Sequence, residues 1–279
     1  MSEQFKLTES QRIVGDTVAD FMLYFARPFY WHAGAQRQDN QIEGGTAFIV
    51  QFGGRYIGIT ADHVIEAYLG ALRQNPGLVC QLSSGRISPE RNIIARSAAL
   101  DIATFSISAV EVATYNANTI DCTGAWPPPE VAADETVSLA GYPEHMRVPT
   151  KPGHMDFPAW GALLQTEDVS DREIICTYDP KREFAAPWAP EGKPPLGYNL
   201  SGSSGGPVVL HKAMNGIHRM IPVGVVIQGP TGLAPGEQQP GDRSQLGEFA
   251  GFDRFRIRRL SCMREDGTII DDASGGWLP

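Results

Sequence analysis

The residues best suited to chemistry lie in the segment 202–207, which reads Gly-Ser-Ser-Gly-Gly-Pro and runs into the strand-like residues 208–210. A serine hydroxyl is a weak nucleophile, so it needs a neighbouring base and backbone amides that stabilise the oxyanion formed in its reaction. Glycines permit the tight turn on which such a serine sits. The pattern predicts Ser204 as the nucleophile and the amides of Gly202 and Ser204 as oxyanion donors. Taken alone, it is equally typical of an ordinary turn before a strand.

A base and an acid for this serine are predicted at His63 and Asp101. Of the six histidines, only His63 lies at the junction of a predicted strand and a predicted helix, which would hold its ring rigidly. Asp101 interrupts the apolar run 98–105, and a carboxylate placed there needs a partner, such as a histidine Nδ1–H, to offset its desolvation. Asp62 is the rival acid, but its position next to His63 suits the start of a helix better.

The elements that must position these residues are predicted to be short antiparallel strands. Apolar runs rich in β-branched and aromatic residues alternate with glycine turns from residue 45 onward, without the rhythm of strand and helix that marks a parallel sheet. Before them, apolar residues three to four positions apart predict an amphipathic helix over residues 8–25. The predicted strands are 46–52 and 55–60, which form a hairpin, and then 92–95, 102–107, 137–139, 174–178, 207–210 and 223–227.

Three segments resemble motifs of the chymotrypsin/trypsin-like serine peptidases. Thr-Ala-Asp-His, ending at His63, is similar to the family's Thr-Ala-Ala-His, and Asp-Ile-Ala, beginning at Asp101, is the same in both. The segment 202–207 resembles the family's Gly-Asp-Ser-Gly-Gly-Pro, and the three motifs follow in the family's order. The resemblance implies an all-β fold of two antiparallel six-stranded β-barrels, preceded here by the N-terminal helix, with the site in the cleft between the barrels.

The resemblance also implies a mechanism. His63 would take the proton from Ser204, Asp101 would fix the imidazole tautomer, and the amides of Gly202 and Ser204 would hold the oxyanion. We therefore expect a serine endopeptidase that acts on a protein or peptide through an acyl-enzyme, without cofactor or metal. The alternative is a catalytically weak or inactive barrel that binds proteins. The nucleophile elbow of α/β-hydrolases also fits Gly-x-Ser-x-Gly, but no acidic residue lies between Ser204 and the last histidine, His218, as that mechanism requires.

Two departures from the family pattern concern activation and the support of the acid. Arg-Ile-Val-Gly at 12–15 imitates the family's activation site, but the acid that would pair with the freed N-terminus is replaced by Ser203, so we expect no such activation. Ile227 stands where a serine commonly supports the catalytic aspartate. Without that activation, the oxyanion hole must be formed in another way. With Ile227 in place of the serine, one hydrogen bond to Asp101 is expected to be missing.

The specificity pocket implied by the resemblance is formed by Tyr198 and the strand end Ile227, Gln228 and Gly229. Tyr198 falls near the pocket floor, where an aspartate would indicate a preference for Arg or Lys. A trypsin-like preference is therefore not predicted, and a preference for small or apolar substrate side chains is expected instead.

Domain organisation is predicted from the proline-rich segment Trp-Pro-Pro-Pro-Glu at 126–130, which can continue neither a helix nor a strand ladder. Residues 1–28 are predicted as a helical extension and 29–125 as the first barrel, with His63 and Asp101. Residues 126–279 are predicted as the second barrel and a C-terminal segment, with Ser204.

Composition narrows the partners and the compartment. With 23 basic and 32 acidic residues the net charge is −9, which argues against a nucleic-acid partner. No run of 18 apolar residues predicts a membrane span, and the N-terminus lacks the features of a secretory signal, so a cytoplasmic protein is expected. The spacing of Cys80, Cys122, Cys176 and Cys262 matches no zinc site and favours reduced thiols. The sequence does not predict an oligomeric state.

Overall fold

The structure, a computed structural model, describes residues 23–34, 42–115, 117–151, 154–178, 200–214, 217–230 and 254–270. Within these ranges the chain is mostly β, as expected, and forms one large curled sheet followed by one closed barrel. Of the predicted N-terminal helix, residues 23–25 are helical, and residues 8–22 lie outside the described part.

The curled sheet contains eight strands in the order β5-β4-β1-β2-β3-β7-β6, with β8 paired in parallel to β2. The β2–β3 hairpin was predicted, and it turns at Gly53 and Gly54, both of which have positive φ. The strands are β1 Arg27–His32, β2 Glu43–Phe52, β3 Arg55–Thr60, β4 Val79–Leu82, β5 Gly85–Ile87, β6 Ile93–Ser97, β7 Ile102–Ile107 and β8 Ile120–Asp121.

The prediction of a closed six-stranded barrel in this half is not met within the described residues. The end strands β5 and β6 pair only with β4 and β7, so the sheet stays open. Helix α1, Asp62–Gln74, supplies a physical reason, because it buries Val64, Ile65 and Tyr68 in the core that the sheet encloses. Its side chains cover apolar surface that barrel closure would otherwise cover. Two shorter helices, α2 Pro89–Asn92 and α3 Ala109–Thr114, flank β6 and β7 along the chain.

The second half forms the six-stranded barrel that was predicted. Its strands close in the order β12-β13-β16-β15-β14-β9 around a core that contains Leu139, Ile174, Leu210 and Phe255. A two-stranded hairpin, β10 Val148–Lys151 and β11 His154–Asp156, lies outside the barrel. The barrel strands are β9 Thr136–Gly141, β12 Trp160–Val169, β13 Glu173–Thr177, β14 Pro207–Met214, β15 Ile217–Gln228 and β16 Arg254–Arg259.

The curled sheet and the barrel share an apolar interface. Phe48 and Ile59 of the sheet belong to one buried cluster with Val225 of β15 and Leu260, which follows β16. The proline-rich segment 126–130 lies between β8 and β9 and carries no strand or helix, while the division into domains at that point stays a prediction. None of the described helices is long and apolar enough to span a membrane.

The four cysteines are buried, and no disulfide bond joins them. Burial raises the pKa of the Cys122 and Cys176 thiols to about 12 and also raises that of Cys80. Thiols in such surroundings stay protonated and therefore react poorly as nucleophiles. The prediction of reduced thiols agrees with these positions, and the cysteines do not compete with Ser204 for a chemical role.

Candidate functional site

The acid and the base predicted from the sequence are in direct contact. His63 is the second residue of α1, and its Nδ1 lies 2.8 Å from Asp101 Oδ2 and 3.0 Å from Oδ1. The backbone amide of His63 also donates to Asp101 Oδ1, at 2.9 Å. A proton on Nδ1 that is donated to this carboxylate leaves Nε2 as an acceptor, which is the state that a general base needs.

The rival acid, Asp62, faces a different partner. Its carboxylate accepts two hydrogen bonds from Arg96, at 2.6 and 3.1 Å, and only 7% of its side chain is exposed. Arg96 also pairs with Glu66, one turn further along α1. Asp62 therefore fixes the start of the helix to β6, and Asp101 alone is placed to orient the ring of His63.

Ser204 sits on a turn that requires glycine at two of its positions. Gly202 and Gly205 have φ of +97° and +90°, in the left-handed region that disfavours other residues. A Cβ on Gly202 would lie 2.7 Å from the carbonyl oxygen of Tyr142, and one on Gly205 would collide with the carbonyl oxygen of Thr46. The glycines predicted to shape this turn are thus required by both conformation and space.

The two amides predicted as oxyanion donors have no acceptor among the described residues, whereas the amides of Ser203 and Gly205 do. The carbonyl of Ser201 accepts from the amide of Glu144 at 2.7 Å, and that of Ser203 accepts from Gly206 at 2.9 Å. In a planar trans peptide the C=O and N–H point in opposite directions. The N–H groups of Gly202 and Ser204 therefore point away from these contacts, and among the described residues neither is engaged by an acceptor.

A buried threonine, which the sequence reasoning missed, holds this turn in place. Thr46 of β2 donates its hydroxyl to the carbonyl of Gly202 at 2.8 Å and accepts from the amide of Tyr142 at 3.0 Å. Its amide donates to the carbonyl of Ser204 at 2.8 Å. Thr46 thus joins the turn from the barrel to the curled sheet. In the sequence it is only a threonine near the start of an apolar strand, which is an ordinary occurrence.

Replacing Thr46 with valine should therefore disturb the oxyanion amides. The variant keeps the shape of the side chain but leaves the Gly202 carbonyl and the Tyr142 amide without partners, at a cost of about 1–3 kcal/mol in the free energy of unfolding. We expect Ser204 to react with a fluorophosphonate about 10- to 100-fold more slowly, because the peptide between Gly202 and Ser203 loses its anchor and the flanking amides of Gly202 and Ser204 lose their alignment. Both quantities are measured on purified protein, by urea unfolding and by the rate of labelling.

The matched control is Thr60→Val. Thr60 is equally buried and donates its hydroxyl to the carbonyl of Thr46 at 2.7 Å, but it does not bond to the nucleophile turn. It should lose similar stability and change the labelling rate less. Equal labelling rates in the two variants would contradict the role given to Thr46.

Ser203 occupies the position of the family's acid and is fully buried. Its hydroxyl has no hydrogen-bond partner within the described ranges, and it packs against Gly141, where an added Cβ would lie 2.9 Å from Oγ. Residues 12–15, which imitate an activation site, lie outside the described residues. The missing carboxylate agrees with the expected departure, and the hydrogen bonds of Thr46 hold the turn instead.

The residues proposed for the specificity pocket are only partly placed. Ile227 and Gln228 end β15, with Gly229 directly after them, and Tyr198 lies outside the described residues. Ile227 has no polar side-chain atom, and in the described part of the chain Asp101 accepts hydrogen bonds from His63 alone. The hydrogen bond expected to be missing at this position stays a prediction.

Two cavities meet at His63. One, of about 180 Å³, contains both His63 and Ser204, together with Gly202 and the carboxylates of Glu43 and Glu144. The Ser204 hydroxyl and the His63 ring, both in the described part of the chain, are not hydrogen bonded to each other; in enzymes such contacts often tighten only when substrate binds. The other cavity, of about 500 Å³, is lined among others by Asp101, Ile227, Gln228, Arg256 and Arg258. His63 thus lines both cavities, one together with Asp101 and the other together with Ser204.

The described residues were also compared with the requirements of a metal site. Among the described residues, no group of three or more His, Cys, Asp or Glu side chains is arranged to hold a metal ion.

Three comparisons were made with known proteins. No family model and no curated protein matches this chain. Among the solved structures that match is one described as "Aromatic interactions drive the coupled folding and binding of the intrinsically disordered Sesbania mosaic virus VPg protein". It is 12% identical, covers 87% of this chain and 97% of that chain, and has a TM-score of 0.39. A likeness at this level carries no argument about function.

Proposed function

We propose that this chain is a serine endopeptidase with a chymotrypsin-like mechanism. The observation that carries the proposal is the His63–Asp101 pair, in which His63 lines one cavity with Ser204, together with the amides of Gly202 and Ser204, which lack an acceptor among the described residues. A turn that merely precedes a strand has no need of a base oriented by a carboxylate or of free amide donors. The resemblance of the three motifs to the chymotrypsin/trypsin-like family supports the same reading.

In this mechanism Ser204 Oγ attacks the carbonyl carbon of a peptide bond and gives its proton to Nε2 of His63. The negative charge that develops on the carbonyl oxygen is stabilised by the amides of Gly202 and Ser204. Asp101 stabilises the protonated ring through Nδ1. His63 then gives the proton to the leaving amine, and water hydrolyses the acyl-enzyme by the reverse sequence of proton transfers.

The proposal is tested by labelling with a fluorophosphonate probe. We expect the folded protein to form a covalent adduct, and mass spectrometry of the digested product to place it on Ser204. Urea-unfolded protein is the control, because labelling that needs the assembled site disappears on unfolding. An intact, folded protein that stays unlabelled at Ser204, while a known serine peptidase reacts in the same solution, would favour the alternative of a protein-binding barrel.

A further inference from the structure

We infer that Arg258 is a positioning residue for Asp101. It holds the backbone at Leu100, the residue that precedes Asp101, by a hydrogen bond. The inference rests on the proposed function, because it assigns Arg258 a part in the reactivity of Ser204. Arg258 lies on β16 of the barrel, whereas Asp101 lies on the curled sheet, between β6 and β7. The residue therefore acts across the same interface as Thr46, but on the acid rather than on the nucleophile.

The contacts of Arg258 are few and specific. Its Nε donates to the carbonyl of Leu100 at 2.5 Å, one guanidinium nitrogen donates to the carbonyl of Arg172 at 2.9 Å, and the other pairs with Glu173 at 3.0 Å. Only 4% of its side chain is exposed. The carbonyl of Leu100 and the amide nitrogen of Asp101 belong to the same planar peptide unit. The hydrogen bond from Arg258 Nε therefore fixes the orientation of the peptide that leads into Asp101.

Asp101 needs such support for two reasons. Its φ is +52°, a left-handed conformation that costs free energy in any residue except glycine. The serine that commonly supports this aspartate in the resembled family is Ile227 here, which donates no hydrogen bond. The strained turn is otherwise held by Ser97, whose hydroxyl accepts from the amide of Leu100 at 3.1 Å. The hydrogen bond from Arg258 thus holds Asp101 through its backbone, whereas the serine of the resembled family holds the aspartate through its carboxylate.

A structural role alone explains Arg258 less well. Burial lowers its pKa, because removing the guanidinium from water disfavours the charged form. A buried ion pair is seldom more stabilising than apolar residues of the same volume. The presence of a guanidinium at this buried position is therefore better explained by the fixed geometry of its several N–H donors. One of these donors holds Leu100 beside the cavity that Asp101 lines.

The test compares Arg258→Lys with Arg259→Lys. Lysine keeps the charge beside Glu173 but lacks the Nε–H that holds Leu100. Arg259 is the next residue, is 5% exposed, and its side chain bonds to the carbonyl of Ser170 and to Glu130, with no hydrogen bond to the 97–101 turn among the described residues. We expect the maximal rate of fluorophosphonate labelling to fall about 10- to 100-fold in Arg258→Lys, with the half-saturating probe concentration unchanged. In Arg259→Lys the rate should stay within about twofold of wild type.

A second readout does not depend on the reaction. In a Ser204→Ala background, the Nδ1 proton that His63 shares with Asp101 is followed by proton NMR. Its signal should shift or broaden with Arg258→Lys and stay unchanged with Arg259→Lys. If the wild type does not label but the proton signal responds in this way, the peptidase proposal fails and the positioning role stands. If the wild type labels and neither readout separates the two variants, the positioning role is wrong.

Folding is checked by thermal melting of each variant. Should Arg258→Lys not fold, Ser97→Ala takes its place, because it removes the hydroxyl that accepts from the amide of Leu100 in the same turn. Slower labelling with an altered Nδ1 proton signal is again the expected result. A wild-type rate and signal in Ser97→Ala would overturn the inference that this turn controls Asp101.

Discussion

Ser204→Ala and His63→Ala should each abolish hydrolysis of a protein substrate such as fluorescently quenched casein, with a loss of about 10⁶-fold in kcat. The first variant removes the attacking oxygen and the second removes the base that takes its proton. Because the members of such a triad act as one unit, the double variant should be no slower than either single variant. His63 is exposed and Ser204 half-buried, so both variants should melt within a few degrees of wild type.

The control for this result is Ser203→Ala. Ser203 neighbours the proposed nucleophile and is buried, but its hydroxyl has no hydrogen-bond partner in the described structure. Its removal should leave hydrolysis within severalfold of wild type. Full activity in Ser204→Ala, or loss of activity in Ser203→Ala with retention in Ser204→Ala, would show that the nucleophile has been assigned to the wrong residue.

Asp101→Asn should reduce kcat by about 10⁴-fold, a magnitude set by the corresponding change in chymotrypsin-like enzymes. Asp101 accepts from both the amide and Nδ1 of His63. An asparagine has only one acceptor oxygen, and if that oxygen stays with the His63 amide, its NH₂ group turns toward Nδ1. The ring must then carry its proton on Nε2, which can no longer accept one from Ser204.

The matched control for the acid is Asp62→Asn. It makes the same chemical change next to His63, but at a carboxylate that faces Arg96. It should lower stability, because Arg96 loses a charged partner, and should change kcat only severalfold when assayed below its melting temperature. The two variants are compared in the casein assay at equal folded fractions. A larger loss in Asp62→Asn than in Asp101→Asn would reverse the assignment of the acid.

The sequence was informative about this site where function depends on short contiguous motifs. Gly202, Ser204 and Gly205 lie within six residues, and the conformational demands of the turn are met by residue types that can be read directly. Asp101 could be identified because a carboxylate inside an apolar run requires a partner. His63 and Asp101 then proved to be hydrogen bonded, as expected.

Thr46 and Arg258 could not be predicted in the same way. Each acts on a residue far along the chain, Thr46 on Gly202 and Arg258 on Leu100, and nothing local distinguishes them from other buried residues of their strands. Such roles arise only from the way in which the curled sheet and the barrel pack together. Periodicity and local propensity contain no information on that packing.

The fold was predicted well in the barrel and less well in the sheet. The apolar runs identified parts of β14 and β15, whereas β12 was not predicted, because its second half reads Gln-Thr-Glu-Asp, in which the buried Thr166 is the one β-forming residue. The short strands β4 and β5 were missed for lack of length. The predicted closure of the first barrel failed because the end strands β5 and β6 do not pair with each other in the described structure, and such pairing, like the packing of α1 in the core, depends on three-dimensional contacts.

The order of the elements along the chain has a consequence for biosynthesis. His63 and Asp101 leave the ribosome well before Ser204, and the barrel that presents Ser204 cannot close until β16 has been made, because β16 joins β13 to β15. At the usual speed of translation, roughly 5–20 residues per second, the emerging polypeptide carries an acid and a base without a hydroxyl for several seconds. Under the proposed function, a nascent chain is therefore harmless to itself and to its neighbours until synthesis has passed β16.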